Sequence, residues 1–380
     1  MKGLLQQAWQ RKGAVFFLAI FTAFCVAFSS LRAYWQQPLE ALSEDRLYLV
    51  EEGASLGFVV EDLAAHGLWS SARIIRLCLR TFAPQFLLKA GEYRLPDSSS
   101  PAEVFAILNS GVSVQYKLTL REGETLQQWW RQLASAEALQ PSVHISPESP
   151  LPPAGIVVVE VAGGESYLGA NSEALSALLS LPAREMMAPQ SPWPEGWFFP
   201  DTYHYSRGDS VDDILYRAHV RMLQVLQQAW SERADGLPYR SPYEALIMAS
   251  LIEKETGLAR ERAEIAAVFV RRLEKKMRLQ TDPSVIYALG RDYTGNLRRT
   301  DLRLESPYNT YRLRGLPPTP IAMPGRESII AALHPAAGDA LYFVAKGDGS
   351  HHFSATLAEH RRAVRRYQIA ARRSDYRSRP

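Results

Sequence analysis

A charge-free apolar run near the N-terminus constrains this chain more than any other feature. It extends from Gly13 to Leu31 and contains 31 − 13 + 1 = 19 residues. A helix needs about 20 apolar residues to cross the hydrocarbon core of a bilayer. Three cations precede the run: Lys2, Arg11 and Lys12. Because such cations stay on the cytoplasmic side, the sequence predicts a cytoplasmic tail (1–12), a single-pass transmembrane anchor (13–32) and the remaining chain in the periplasm, outside the inner membrane.

A cleaved signal peptide is the alternative interpretation of this run. Ala27 to Ser29 has the small-x-small pattern of a cleavage site. The run is longer than the apolar region of about 7–15 residues that signal peptides carry, which favours an uncleaved anchor. Trp35 is then predicted at the far membrane interface. Both interpretations place the protein in the cell envelope.

The composition excludes several classes of function. The 380 residues carry a net charge of only +3, which argues against a nucleic-acid partner. Of the two cysteines, Cys25 lies in the apolar run, so no bridge to Cys78 is expected. The histidine spacings match no metal motif. We therefore expect neither a metal nor another cofactor.

A Glu-Gly-x-Ser/Thr-Leu pattern occurs twice, in EEGASLGFVVEDLAAHG from Glu51 and in REGETLQQWWRQLAS from Arg121. Each copy predicts a strand, a capping hydroxyl and a short helix. A further strand and a helix from Ser100 are predicted between them. This arrangement is similar to the LysM module, which holds glycan chains, and a non-binding α+β spacer is the alternative. The predicted LysM-like α+β subdomain covers residues 46–135.

Composition divides the rest of the chain. Residues 136–190 are rich in Pro, Ser, Ala and Gly, which predicts a linker or variable insertion. Denser, aromatic sequence follows and predicts a further folded domain over residues 191–368, with a basic tail at 369–380. The predicted fold class is α+β, with a mixed α/β catalytic domain that carries its acid on a helix.

The stretch SPYEALIMASLIEKETG predicts that helix. Ser241 is suited to the N-cap, Pro242 to the first turn, Glu244 to a capping box and Gly257 to the stop. Two glutamates lie near its end, and a helix turns by about 100° per residue.

The helical projection separates these two glutamates. Glu255 falls within the apolar face, beside Leu251 and Ile252, whereas Glu253 falls on the polar side with Ser250. Loss of solvation raises the pKa of a carboxyl group, as a general acid near neutral pH requires. Glu255 is therefore the predicted catalytic residue. The alternative is a helix-end carboxylate that only accepts a structural hydrogen bond.

Candidate substrate contacts follow in two loops. Polar and aromatic side chains suit a sugar site, because rings pack on sugar faces and amides bind hydroxyl groups. Six residues are predicted to bind substrate: Gln280, Thr281, Asp282, Tyr308, Asn309 and Tyr311. Asp282 precedes a proline, which predicts a turn or extended segment. The aromatic run from Trp197 to Tyr203 is a further candidate, and core packing of its rings is the alternative.

The carboxylate count favours one type of chemistry. Glycoside hydrolases usually need two carboxylates. Glu255 is one strong candidate, and Asp282 and Asp201 are weaker candidates for the second. A reaction in which one glutamate acts first as acid and then as base is therefore favoured.

Several stretches together resemble one known family, the endolytic murein transglycosylases (the MltG or YceG-like family). They are EGWFFPDTY, ASLIEKET, VFVRRLEKKMRLQTDPSVIYALG, SPYNTYRLRGLPP, AALHPA, YFVAKG and HHF. The second glutamate of the family's E-K-E-T motif matches Glu255. Thr319 departs from the pattern, since the family commonly has glycine there.

The resemblance implies a membrane-anchored lytic transglycosylase that cuts nascent peptidoglycan strands. The bond cut would be the β-1,4 link between N-acetylmuramic acid and N-acetylglucosamine, and the products would carry 1,6-anhydro ends. The implied reaction uses no metal. Implied partners are peptidoglycan strands, the inner membrane and peptidoglycan synthases. A two-carboxylate muramidase and a non-catalytic peptidoglycan-binding scaffold are the alternatives.

Overall fold

The computed structural model describes residues 2–40, 46–141 and 195–370. The chain divides into two compact units. Unit 1 comprises Met1–Tyr116 with Ser206–Gly208, and unit 2 comprises Lys117–Tyr205 with Asp209–Pro380. Helices and short antiparallel strand pairs occur together, which confirms a mixed α+β architecture.

The first helix, α1, extends from Lys2 to Gln36 and contains the apolar run. Its segment Gly13–Gln36 is long and apolar enough to cross a membrane. The helix exceeds the predicted anchor at both ends, because the residues before Gly13 and after residue 32 are also helical. Trp35 lies in the core of unit 1 instead of on a lipid-facing surface, since neighbouring helices of that unit cover it.

Besides α1, the described part of unit 1 packs three helices against one antiparallel pair of strands. The strands are β1 (Arg46–Val50) and β2 (Gly91–Leu95), aligned with Arg46 opposite Leu95. The helices are α2 (Leu56–Ala65), α3 (Ala72–Phe82) and α4 (Pro101–Ser110). The core contains Trp69, Tyr93 and Phe105. The predicted caps are present, with Ser55 accepting from the Phe58 amide and Ser100 forming a capping box with Glu103.

The second copy of the repeated pattern lies in unit 2. It forms β3 (Tyr116–Leu120) and α5 (Leu126–Ala134), and Thr125 caps the helix. β3 pairs with β4 (Asp201–Tyr205). The Gly123 amide donates to the Met323 carbonyl at 2.8 Å, which ties this segment to distant sequence of unit 2. The structural division at residue 116 therefore differs from the predicted subdomain end at residue 135.

Unit 2 is mainly helical. Its helices are α6 (Val211–Ser231), α7 (Pro242–Glu255), α8 (Ala259–Glu274), α9 (Asp282–Leu289), α10 (Arg326–Leu333) and α11 (Leu357–Val364). Two short 3-10 turns, Gly290–Asp292 and Asp301–Arg303, follow α9. The strands β5 (Tyr342–Ala345) and β6 (His351–Ser354) form an antiparallel hairpin. Helical turns continue over Arg365–Ala370.

Helix α7 lies at the centre of unit 2. It packs against α6, α8, α9 and α10, and every residue from Ala245 to Ile252 is buried. A helix that is covered on all sides has no solvent face, so its sequence cannot show one. The predicted insertion is described only to residue 141, and the predicted basic tail only to residue 370; the rest of both lies outside the described residues.

Candidate active site

Helix α7 ends at Glu255. Ser241 caps its start, as predicted, by accepting from the Glu244 amide at 3.4 Å. The predicted capping box is wrong, because the Glu244 carboxylate accepts from the Arg240 amide at 2.7 Å instead. Thr256 is extended (φ −145°, ψ 136°), so the helix stops before Gly257 is reached.

The Glu255 carboxyl group is held in surroundings that disfavour its charge. Its pKa is raised to about 7, chiefly by burial and further by the negative charge of Asp282. The Thr281 hydroxyl donates to Oε1, and this bond and the positive charge of Arg272 act in the opposite direction. The negative end of the helix dipole also favours the protonated form at this position. Glu255 therefore combines a proton near neutral pH with a place at the end of a buried helix.

Thr281 is fixed by a network of hydroxyl groups. It is 1% exposed, and its amide donates to Thr310 Oγ1 at 3.1 Å. Ser284 Oγ donates to the Thr281 carbonyl at 2.8 Å and contacts Thr310 Oγ1 at 2.8 Å. Thr281 is the N-cap residue of α9, yet its side chain makes no cap hydrogen bond there. Its hydroxyl donates to the Glu255 carboxyl group instead.

Asp282 is exposed at the first position of α9, and Tyr311 Oη donates to its Oδ1 at 2.5 Å. The prediction of a non-helical Asp282 is wrong. Thr281 takes the extended conformation, which lets Asp282 and Pro283 occupy the first turn, where a missing amide proton costs little. Asp282 and Tyr311 thus form a hydrogen-bonded pair beside Thr281.

Asn309 and Tyr308 lie deeper than the sequence predicts. Asn309 is 0% exposed, and its Nδ2 donates to the carbonyls of Leu302 (3.2 Å) and Leu304 (2.8 Å). Its Oδ1 accepts from the Tyr311 amide at 3.0 Å. The amide group of Asn309 therefore shapes the loop that carries Tyr311.

Tyr308 is also buried, and its Oη lies 2.9 Å from Thr319 Oγ1. The Thr319 hydroxyl donates to the Pro320 carbonyl at 2.8 Å, so the residue that departs from the family pattern has a defined role in this loop. Gln280, by contrast, is exposed. It has a left-handed backbone (φ 53°), and its amide donates to the Thr310 carbonyl at 3.2 Å.

The structure thus joins Thr281 to Glu255 and Asp282 to Tyr311, with Gln280 exposed next to them in sequence. It places Tyr308 and Asn309 in the interior of the unit. The rings of Trp197, Phe198, Phe199 and Tyr203 are also buried, as the core-packing alternative expects. Asp201 is exposed on β4.

Glu253, unlike Glu255, is paired with a cation and a backbone amide from other segments of unit 2. Its side chain is 5% exposed, Oε1 lies 3.5 Å from Arg262 Nη2, and Oε2 accepts from the Gly325 amide at 2.9 Å. Ser250, on the same side of α7, is fully buried and accepts from the Ile321 amide at 3.0 Å. The side of α7 predicted to be polar is therefore covered by other segments of the chain, which supply partners for both polar groups.

Sequence reasoning missed Arg272. This residue of α8 is buried, and its Nε donates to the Leu341 carbonyl at 2.7 Å and its Nη1 to the Leu279 carbonyl at 2.6 Å. Its charge acts on Glu255. In the sequence it stands among the other cations of the stretch RRLEKK, and nothing in that pattern distinguishes it.

Comparison with known proteins decides the family. A model of the YceG-like family matches residues 48–366, which is most of the chain. The chain belongs to the YceG-like family. This confirms the resemblance predicted from the sequence motifs.

Two relatives of this YceG-like chain are named endolytic murein transglycosylases. The one from Bacillus subtilis (strain 168) is 42% identical over 174 residues, which cover 46% of this chain and 48% of the relative. The one from Streptococcus pneumoniae (strain D39) is 28% identical over 291 residues, which cover 73% of this chain and 50% of the relative. The chain therefore spans about half the length of the relatives it matches.

A solved structure extends the similarity to the fold. The crystal structure of a yceG-like protein from Listeria monocytogenes superposes with a TM-score of 0.51 at 28% sequence identity. The match covers 84% of this chain and 98% of that protein. This YceG-like chain therefore shares its fold with that relative over most of both lengths.

Proposed function

We propose that this chain is an endolytic murein transglycosylase and that Glu255 is its catalytic acid and base. The observation that carries the proposal is the half-buried Glu255 carboxyl group at the C-terminal end of α7, which accepts from the Thr281 hydroxyl and whose pKa burial raises to about 7. A carboxyl group with that pKa is half protonated near neutral pH, where it can give a proton and later take one back. The names of the Bacillus and Streptococcus relatives support the same assignment.

The reaction needs only one such group. Glu255 donates its proton to the oxygen that links C1 of N-acetylmuramic acid to N-acetylglucosamine, and the C1–O bond breaks. The 2-acetamido group stabilises the positive charge that develops at C1. The 6-hydroxyl oxygen of the same sugar then bonds to C1, and its proton passes to the Glu255 carboxylate. The product is a 1,6-anhydro end, no water is consumed, and exclusion of water favours this ring over hydrolysis.

The proposed roles of the residues near Glu255 follow from where their side chains lie. We infer that Thr281 orients the Glu255 carboxyl group and that Gln280, Asp282 and Tyr311 contact the glycan, since their side chains are exposed or half-buried near Thr281. Tyr308 and Asn309 are buried and hold the loop that carries Tyr311. They would therefore act on substrate binding indirectly, through the position of that loop.

The membrane anchor belongs to the same proposal. The segment Gly13–Gln36 would cross the inner membrane once, with the cationic N-terminus in the cytoplasm and both units in the periplasm. A LysM-like glycan-binding role of unit 1 and contacts with peptidoglycan synthases stay predictions.

Product analysis tests the function. Purified protein is incubated with glycan strands in water labelled with heavy oxygen, and the new ends are analysed by mass spectrometry. We expect anhydro ends, lighter by one water than reducing ends and free of the label. Label in the new ends would establish hydrolysis instead.

One observation favours that second candidate, a two-carboxylate muramidase. The Asp282 carboxylate interacts electrostatically with Glu255 and is held by Tyr311. A muramidase would use such a second carboxylate to activate water or to form a glycosyl intermediate. The label experiment separates the two reactions directly.

A further inference from the structure

Helix α1 continues without interruption from its apolar segment into the core of unit 1. The Trp35 ring stacks on Phe105 (centroids 5.7 Å apart) and on Phe82 (6.4 Å). Leu31 and Tyr34 pack against the same core. No linker therefore separates the segment that would cross the bilayer from the folded unit.

The length of the apolar run sets the depth of the residues beside it. At about 1.5 Å per residue, its 19 residues span about 28 Å, close to the hydrocarbon thickness of about 30 Å. The whole run is needed to cross, so Phe28, near its end, stays at the apolar edge of the bilayer. The Phe28 ring lies 5.6 Å from the ring of Phe82, the last residue of α3. Because Phe82 contacts both Phe28 and Trp35, it lies between their depths, at the edge of the apolar region.

Helix α3 points toward the bilayer with its C-terminal end. Cys78 Sγ lies 3.9 Å from the Leu31 carbonyl, whereas Phe82, one turn later, contacts Phe28, one turn earlier in α1. The segment that follows Phe82 must then lie at the membrane surface. We call residues 82–89 the juxtamembrane loop.

The juxtamembrane loop is both apolar and held in place. Leu87 is 64% exposed, although its amide donates to Asn109 Oδ1 at 2.9 Å, which fixes the backbone. Lys89 donates to the Ser110 carbonyl at 3.1 Å and is exposed, and Arg80 is exposed at the end of α3. Apolar side chains flanked by cations are typical of segments that enter the lipid headgroup region.

We propose that the juxtamembrane loop inserts Leu87 into the interfacial layer of the bilayer, with Arg80 and Lys89 at the level of the lipid phosphates. This proposal rests on the membrane anchor proposed above. The partner is a phospholipid surface, and continuity with the apolar span identifies it. Anionic lipid strengthens the contact through the two cations.

Unit 1 offers a matched control. Leu47 on β1 is 49% exposed, similar to Leu87, but lies on the outer face of the β1–β2 pair, while its neighbour Tyr48 packs against the core. Leu47 pairs with Arg94, toward the end of β2 that is farther from the juxtamembrane loop, so a probe at Leu47 should remain in water, whereas a probe at Leu87 should enter lipid.

The experiment uses the full chain in vesicles that contain zwitterionic and anionic phospholipid. Single cysteines are introduced as Leu87→Cys, Leu47→Cys and Ile20→Cys in a Cys25→Ser, Cys78→Ala background and labelled with an environment-sensitive fluorophore. Spin-labelled lipids with the quencher near the headgroup or deep in the acyl chain report depth. Circular dichroism establishes that each variant is folded.

We expect the probe at residue 87 to shift its emission to the blue and to be quenched by the shallow spin label, and the probe at residue 47 to show neither effect. Arg80→Glu with Lys89→Glu should reduce the quenching at residue 87. Equal, water-like emission at residues 87 and 47, with deep quenching at residue 20, would overturn this proposal and leave the anchor intact. Loss of deep quenching at residue 20 would overturn the anchor and this proposal together.

Discussion

Glu253 and Glu255 stand two positions apart at the end of α7, and their surroundings differ in nearly every respect. Glu253 receives an amide proton from Gly325 and the positive charge of Arg262. Glu255 receives one hydroxyl bond from Thr281, and the charge of Asp282 acts against its ionisation. The first carboxylate is paired with a cation and a backbone amide, whereas burial and Asp282 raise the pKa of the second to about 7, against the opposing effects of Thr281 and Arg272. Residue type alone therefore does not distinguish the two glutamates; the neighbours supplied by other segments favour Glu255 as the proposed acid.

The largest expected effect is the loss of chemistry at Glu255. Glu255→Gln nearly preserves volume but removes the transferable proton, so cleavage should fall by about 10²–10⁴-fold. The measurement is the rate of appearance of anhydro ends. Glu253→Gln is the matched control, and per folded molecule it should cleave within a few-fold of the unmodified protein. Equal losses in both variants would contradict the division of roles.

The next effect is a loss of stability at Glu253. Glu253→Gln leaves the buried Arg262 without its buried anionic partner, which should lower the free energy of unfolding by roughly 2–4 kcal/mol. Denaturant unfolding measures it. An unchanged midpoint would show that Glu122, the other carboxylate near Arg262, suffices to balance the charge.

Glu255→Gln should have the opposite effect on stability. The pKa of Glu255 is raised from 4.5 to about 7 in the folded chain, so its favourable contribution is complete below pH 4.5 and is lost as pH rises through 7. At pH 8 the neutral amide should therefore stabilise the fold by about 3 kcal/mol, and at pH 5 by less. Thermal unfolding at both pH values checks the sign. Destabilisation at pH 8 would indicate that the carboxylate is well solvated.

The smallest expected effect is on the pH profile. Cleavage should decline above a pH of about 7, as Glu255 loses its proton. Asp282→Asn removes a negative charge and should move this decline to lower pH, whereas Thr281→Val removes a bond to the carboxylate and should move it to higher pH. Rates of cleavage across pH measure both shifts. Shifts in the same direction would contradict the assigned electrostatics.

The sequence predicted much of the local structure of this chain. Short-range signals identified the cap of α7 at Ser241 and those of the two repeated units at Ser55 and Thr125, because an N-cap depends on residues within one turn. The helical projection also assigned the two glutamates to different sides. Family motifs pointed to the same residue, Glu255.

What the sequence could not predict depends on distant contacts. A projection of α7 cannot show that Arg262 and Gly325 cover the side that carries Glu253. Nor can it show that Asn309 turns inward to bind the carbonyls of Leu302 and Leu304. Both outcomes arise when the chain closes over a polar group and must satisfy it.

The Thr281 hydroxyl could either cap α9 or bind the Glu255 carboxyl group, and in this structure it binds Glu255. A hydroxyl at the start of a helix commonly secures the first turn, a contribution of about 1 kcal/mol, but here α9 begins without it because the side chain is turned toward Glu255. Proton loss strengthens the attraction between the hydroxyl and the carboxylate, while proton gain weakens it. In the proposed reaction, each change in the protonation of Glu255 would therefore alter the hydrogen bond made by Thr281, the residue at the start of α9 and next to Asp282.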